Sequence, residues 1–159
     1  MRILAVSDSH GETEELRWLF DEIRREYGAM DIFIHCGDGS TDLRRLQPYL
    51  LKNNPGAVMY TVSGNCDLGN DLPSDLILEF DGTRIFVTHG HRYGVKTSLD
   101  DLDRKASSER CSLALYGHTH IANWEMKSVL LVNPGSAIKG RAAMISLENG
   151  NVNASLLEY

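Results

Sequence analysis

The stretch Leu113–His120, LALYGHTH, is an apolar run that breaks at a glycine and ends on two histidines one residue apart. A short apolar run closed by a turn residue reads as a buried strand. The histidines then stand where that strand leaves its sheet. Residues at i and i+2 of extended chain point to one side, so His118 and His120 are expected to aim both imidazoles at one place. The arrangement recurs along the chain. AVSDSH delivers Asp8 and His10, IHCGD delivers Asp38, VSGNCD delivers Asn65 and Asp67, and FVTHGH delivers His89 and His91. In open α/β sheets ligands bind beyond the carboxyl ends of strands. These strand ends are therefore expected to converge on one site.

The donor types are specific. Carboxylate and amide oxygens suit hard cations, and imidazole suits zinc, iron, manganese or nickel. A carboxylate has two acceptor oxygens and can bridge two ions. Two metals about 3.5–4 Å apart form a clamp for phosphoryl hydrolysis. Each piece alone has a plainer reading. Asp-x-His can be a helix cap, Gly-Asp after a strand is commonly a turn, and one strand-end histidine is often only hydrogen-bonded. It is their coincidence that points to metal. His35, inside FIHCGD, lacks such spacing and reads as a satisfied interior histidine or a support behind the ligands. Cys36 and Cys111 read as small buried apolar residues.

Working outward, RILAVSD and DIFIHCGD read as buried strands, and AVMYTVSGNCD as a third strand running into a turn. Between the first two, Leu16, Leu19, Phe20, Ile23 and Tyr27 mark one face of a helix that ends near Gly28. TDLRRLQPYLL reads as helix, with Pro48 as a breaker. DLILEF and TRIFVTHG flank an Asp-Gly hairpin signal. Ser98 and Asp101 resemble a capping box. NWEMKSVLLVNPGS and AAMISLENGNVNASLLEY read as two further hairpins. Strand–helix alternation followed by hairpins predicts α/β with mixed sheets.

The chain has 159 residues, a net charge of −6 and three cysteines, Cys36, Cys66 and Cys111. That length suits one domain, 1–159. No basic stripe is present, which argues against extended nucleic-acid binding. A small anionic substrate stays compatible, because a bound metal reverses the local field. The unpatterned cysteines fit a reducing compartment. ILAV before SDSHG is shorter than a signal peptide's apolar region, and no run reaches a membrane span. A cytoplasmic protein is expected, with a C-terminal sheet edge open to a homodimer.

In order, Asp8-x-His10, Gly37-Asp38, Gly64-Asn65-Cys66-Asp67, His89-Gly90-His91 and Gly117-His118-Thr119-His120 resemble the calcineurin-like metallophosphoesterases. With Asn133–Ser136 (NPGS), they are similar to the small single-domain bacterial and archaeal phosphodiesterase branch. The resemblance spans nearly the whole chain. It implies a four-layer αββα sandwich with two facing mixed sheets. It implies two divalent metal ions, manganese first, with nickel, iron, cobalt or zinc as alternatives. One would take Asp8, His10, Asp38 and His120. The other would take Asp38, Asn65, His89 and His118. The activity implied is hydrolysis of a small phosphate ester, most simply a phosphodiester, by a hydroxide bridging the two metals, with Asn65 helping to neutralise the phosphoryl oxygens. Many members carry histidine after the motif asparagine, where this chain has Cys66. Asp67, His91 and water are then the candidates for leaving-group protonation. Two rivals are a protein-binding scaffold, as in a retromer subunit of similar fold, and a dinuclear hydrolase of C–N bonds. A scaffold has no chemical need for all seven donors.

Overall fold

Residues 1–69 and 71–159 are described by a computed structural model. Among them the apolar runs become strands and the 3.6-residue pattern becomes helix. The order is β1 (Arg2–Val6), α1 (Thr13–Tyr27), β2 (Ile32–His35), α2 (Asp42–Asn53), β3 (Val58–Thr61), β4 (Asp75–Phe80) and β5 (Thr83–Thr88). It continues with α3 (Asp100–Ser108), β6 (Leu113–Leu115), β7 (Asn123–Met126), β8 (Leu130–Asn133), β9 (Arg141–Glu148) and β10 (Asn151–Glu158).

The strands form two five-stranded mixed sheets, ordered β10-β9-β1-β2-β3 and β4-β5-β6-β8-β7. In the first, β1, β2 and β3 run parallel and β9 pairs antiparallel with β1. In the second, β5, β6 and β8 run parallel, with β4 and β7 antiparallel at the edges.

Side chains alternate across each strand, and that alternation builds the layers. Ile3, Ala5, Ile32 and Ile34 of the first sheet meet Ile85, Val87, Leu113, Leu115 and Val132 of the second in one apolar cluster. The residues between them point outward. Leu4, Val6, Phe33 and Met144 receive Leu16, Leu19, Phe20 and Ile23 of α1 and Leu43, Leu46 and Leu50 of α2. Phe86, Ala114 and Leu131 receive Leu102 and Ala106 of α3. The result is helix, sheet, sheet, helix, the expected αββα sandwich. Each fully buried Leu or Ile contributes about 1.5–3 kcal/mol of transfer free energy.

Local details differ from the sequence reading in three places. Tyr27 is 37% exposed, because α1 outruns the sheet it covers. Pro48 lies inside a continuous α2. It sits on the exposed side, where water can satisfy the carbonyl that its missing N–H would have bonded. The capping box is absent: α3 is preceded by Leu99, and Ser98 Oγ accepts from the Asp100 amide at 3.1 Å. Both Gly-containing hairpin turns hold. Asp81–Gly82 and Asn149–Gly150 have positive φ at both residues, the mirror-image turn that matches strand twist. No described helix is long and apolar enough to cross a membrane.

Candidate metal centre

The parallel strands of both sheets end at one side of the sandwich. Asp8 and His10 follow β1, Asp38 follows β2, and Asn65 and Asp67 follow β3. His89 and His91 follow β5, while His118 and His120 follow β6. Three acid–histidine groupings bring donor atoms within 4.8 Å of one another: Asp8, His10 and His120; Asp8, Asp38 and His89; and His10, Asp38 and Cys66.

The backbone delivers these side chains by turning, and the extended geometry expected for the x-spaced pairs is not what is found. Asp8 (φ 55°), His10 (49°), Asp38 (54°), His118 (71°) and His120 (60°) all lie in the left-handed region. For a non-glycine residue that costs about 1–2 kcal/mol. Such conformations persist where the surroundings over-determine them, typically at functional sites. The turns also divide the two imidazoles of GHTH. His118 packs against His89, with ring centroids 5.1 Å apart. His120 packs against His10 at 5.4 Å and sets Nε2 3.2 Å from Asp8 Oδ1.

Two features test whether a cation fits. Asp8 is fully buried, yet its Oδ1 has no hydrogen-bond partner. An orphaned buried carboxylate oxygen is costly unless something positive meets it. The His89 ring Nδ1 lies 2.7 Å from the Cys36 carbonyl, which only accepts, so Nδ1 carries the proton. Its Nε2 then faces three oxygens: Asn65 Oδ1 at 3.1 Å, Asp38 Oδ2 at 3.4 Å and Asp8 Oδ1 at 3.9 Å. A lone pair among oxygens calls for a cation between them. A carbonyl-fixed tautomer is the usual preparation of a ligating histidine.

Without a cation, the same oxygens favour a proton on His89 Nε2, in the position a metal ion would take. Burial raises Asp8, partly offset by Ser7 and by His89 and His120. Burial also pushes Asp38 up, but the His89 ring and the Cys66 amide outweigh it and hold the carboxyl well below the usual range. Burial lowers His89, but the Asp38 carboxylate reverses this and raises it. Burial, with the charges of His89 and Lys96, lowers His118 to about 4, so its imidazole is neutral and ready to ligate.

With this geometry in hand, comparison with known proteins is direct. Residues 1–147 match the model of the calcineurin-like phosphoesterase superfamily domain. The chain belongs to that superfamily. It is 35% identical over 158 residues to the probable metallophosphoesterase YsnB of Bacillus subtilis, covering 94% of this chain and 86% of that protein. It is 27% identical over 146 residues to phosphodiesterase MJ0936 of Methanocaldococcus jannaschii, covering 85% and 83%. The structure of Vacuolar Protein Sorting 29 from Cryptosporidium parvum superposes with a TM-score of 0.72 at 18% identity, covering 99% and 97%, a likeness of fold alone.

Behind the clustered acids and histidines lies a second set of residues. Asp67 is spent on amides: Oδ1 accepts from Gly39 and Ser40, and Oδ2 from Asp38 and Gly64. Burial pushes its carboxyl up, but those amides outweigh it and lower it. His91 lies beside His89 and His118, at 5.4 and 6.0 Å between centroids. Burial and the His89 charge lower it.

His35 is fully buried and doubly bonded. Its Nδ1 accepts from the Gly37 amide at 3.1 Å, so Nε2–H donates to Ser9 Oγ at 2.8 Å. Ser9 in turn donates to Asp42 Oδ2 at 2.6 Å, which also accepts from the Gly11 amide. This chain ties the Asp8–His10 turn to the Asp38 turn and to the start of α2. The NPGS segment acts likewise. Asn133 Nδ2 donates to the Gly117 carbonyl and to Thr119 Oγ1, and Ser136 Oγ donates to the Asp8 carbonyl. The sequence reading did not assign Ser9, Asp42, Asn133 and Ser136 these roles. For Ser136 the signal was a hydroxyl residue in a motif that its hairpin did not require.

Proposed function

We propose that the chain is a dinuclear metal-dependent phosphodiester hydrolase. The observation that carries the reading is the buried, unpartnered Asp8 Oδ1 set among His120, His89 and the Asp38 carboxylate. One ion is assigned Asp8, His10, Asp38 and His120; the other Asp38, Asn65, His89 and His118, with Asp38 shared. Mixed nitrogen and oxygen donors suit manganese, and nickel, iron, cobalt or zinc also fit. Bound there, two divalent cations supply a deprotonated water near neutral pH and neutralise the phosphoryl oxygens.

The chain's own groups do the rest. Asn65 stands exposed at the rim, its Oδ1 toward His89; one amide N–H donates to Cys66 Sγ at 3.3 Å, which leaves the other to hold a phosphoryl oxygen. Asp67 is better read as a positioning residue than as an acid, because its carboxylate is held ionised by four amides. His91, held neutral, is suited to donating a hydrogen bond to substrate, and the leaving-group proton is assigned to water. The complete donor set weighs against a protein-binding scaffold, which needs none of it. The three cysteines are unpaired, in keeping with a cytoplasmic protein of one domain. β7 and β10, both edge strands, are where a homodimer would form, and molar mass by light scattering tests it.

The test is to strip the chain with chelator and restore manganese, nickel, zinc or magnesium separately. Each form is assayed on bis(p-nitrophenyl) phosphate and p-nitrophenyl phosphate. Diester cleavage returning at about two equivalents of metal per chain is the expected result. Metal binding without cleavage of either ester favours the scaffold. No metal binding removes the ligand assignment.

A further inference from the structure

Two cavities flank the donor cluster. The larger, about 780 Å³, lies beside α2 and β3 on the first sheet's side. Cys66 forms part of its wall, and Cys66 Sγ is within 4.8 Å of donor atoms of His10 and Asp38. Met59 and the exposed Leu68 give it an apolar surface, while Arg44, Gln47, Thr61, Asp67 and Asp71 give it polar groups. The smaller, about 360 Å³, lies on the second sheet's side. Its wall includes Thr119, between His118 and His120, together with Lys96, Leu99 and Tyr116. Both volumes fall in the range of about 300–1,000 Å³ typical of small-molecule sites.

Among the described lining residues, Arg44 is the cation of the larger cavity, which also holds Asp67 and Asp71, and Lys96 is the charged residue of the smaller. Arg45 reaches the Asp42 carboxylate at 3.8 Å, whereas its neighbour Arg44, on the cavity wall, makes no ion pair among the described residues. Lys96 is likewise without an ion pair among the described residues and shares its cavity wall with Thr119, between His118 and His120. In a chain of net charge −6, each flank of the donor cluster still holds a cation with no ion pair among the described residues. A phosphomonoester has one organic arm and needs one cavity. A diester has two.

Resting on the phosphodiesterase reading, we propose that the substrate is an asymmetric phosphodiester with one arm of nucleoside size. That arm, a flat body bearing several hydrogen-bonding groups, enters the larger cavity past Cys66. Its apolar face lies on Met59 and Leu68, and Arg44 binds an acceptor or second anionic group on it. The smaller arm lies against Leu99 and Ile121 beside Lys96. Arg44 is thus a specificity-determining residue, since a guanidinium offers a planar fork of donors to an oxygen pair.

The experiment compares thymidine 5′-(p-nitrophenyl) phosphate with bis(p-nitrophenyl) phosphate on metal-loaded wild type, Arg44→Ala and Arg44→Lys. Thymidine 5′-monophosphate serves as competitor. The proposal expects wild type to favour the thymidine ester in kcat/KM. Arg44→Ala should lower that preference by about tenfold, the scale of one charge-assisted hydrogen bond, and weaken the monophosphate's inhibition in step. Arg44→Lys should restore part of both. Because Arg44 is exposed on α2, melting temperatures should agree among the three, which separates a specificity effect from a folding defect. If both esters are cleaved but their ratio ignores Arg44, the cavity assignment is overturned while the phosphodiesterase reading stands. If the metal-loaded chain cleaves neither, that reading fails and the proposal falls with it.

Discussion

Asp38 belongs to two of the acid–histidine groupings and is the ligand proposed to be shared, and His35 is the histidine that sits apart from them. Their contrast makes the sharpest residue-scale prediction. Asn at position 38 keeps the shape and can still accept the Cys66 amide bond of 2.8 Å, but loses the charge. Asp38→Asn should therefore fold, yet lose metal by elemental analysis and lose several kcal/mol of catalysis, about 10³-fold in kcat/KM. His35→Gln should keep its metal stoichiometry while losing about 1–3 kcal/mol of stability, because a buried hydrogen-bonded relay is broken. Equal metal loss in both variants would sink the assignment. His35 also sets a pH limb. Burial lowers its ring to about 4, whereas an unfolded histidine titrates near 6.5. Between those values the unfolded state takes up a proton that the folded state refuses. Stability present above about pH 6.5 is thus lost as pH falls to about 4, by about 3 kcal/mol. Urea unfolding of the metal-loaded chain at pH 7 and pH 5 should show the loss, and His35→Gln should flatten it. The clustering of Asp8, His10, Asp38, His89 and His120 was legible in the sequence because each is a local pattern at a strand end. The relay through Ser9, His35 and Asp42 was not, since its bonds join residues 26 and 33 positions apart.

At the scale of elements, the site is made by strands that stop and turn abruptly, and glycines permit how closely the turns approach. Gly64 follows β3 with its α-carbon against the Asp38 turn. A methyl group there would lie 2.2 Å from Asp38 Oδ1 and 2.4 Å from Asp38 N, far inside contact distance. The obstruction is partly backbone, so no rotamer change relieves it. Gly64→Ala should cost about 1–3 kcal/mol through overpacking and displace Asp38. Calorimetric titration with manganese should show affinity weakened at least tenfold, whereas Gly11→Ala, which meets nothing within 4 Å, should lose stability through its φ of 87° and keep affinity nearer wild type. Unchanged affinity in Gly64→Ala would mean that Asp38 is not held by this contact. The elements themselves were readable because the apolar runs are short and their turn residues distinctive. What misled was geometry at the ends. The i, i+2 rule assumes extended chain, and the left-handed turns at Asp8, His10, His118 and His120 replace it. Ser98 likewise closes a local turn rather than capping α3, since Leu99 intervenes.

Across the whole molecule, the proposed donors belong to different sheets. Asp8, His10, Asp38 and Asn65 leave the first sheet, and His89, His118 and His120 leave the second. Protein bonds already cross this seam: the His118 amide donates to Asp8 Oδ2 at 3.1 Å, and His89 bonds the Cys36 carbonyl. Bound cations would add cross-links at the same end, in the folded state only. Anything that binds only the native state stabilises it by mass action, by about 2.7 kcal/mol at a free concentration one hundred times Kd. For a chain of this size each kcal/mol moves the melting temperature by about 2–4 °C, so saturating manganese should raise it by about 5–10 °C over the chelator-treated chain. Scanning calorimetry at several metal concentrations checks both the size and the concentration dependence. The shift should be largely lost in Asp38→Asn, which removes the shared ligand, and kept in His35→Gln, which lowers the baseline but leaves every donor in place. An equal shift in wild type and Asp38→Asn would place the stabilising ion somewhere other than the seam between the sheets.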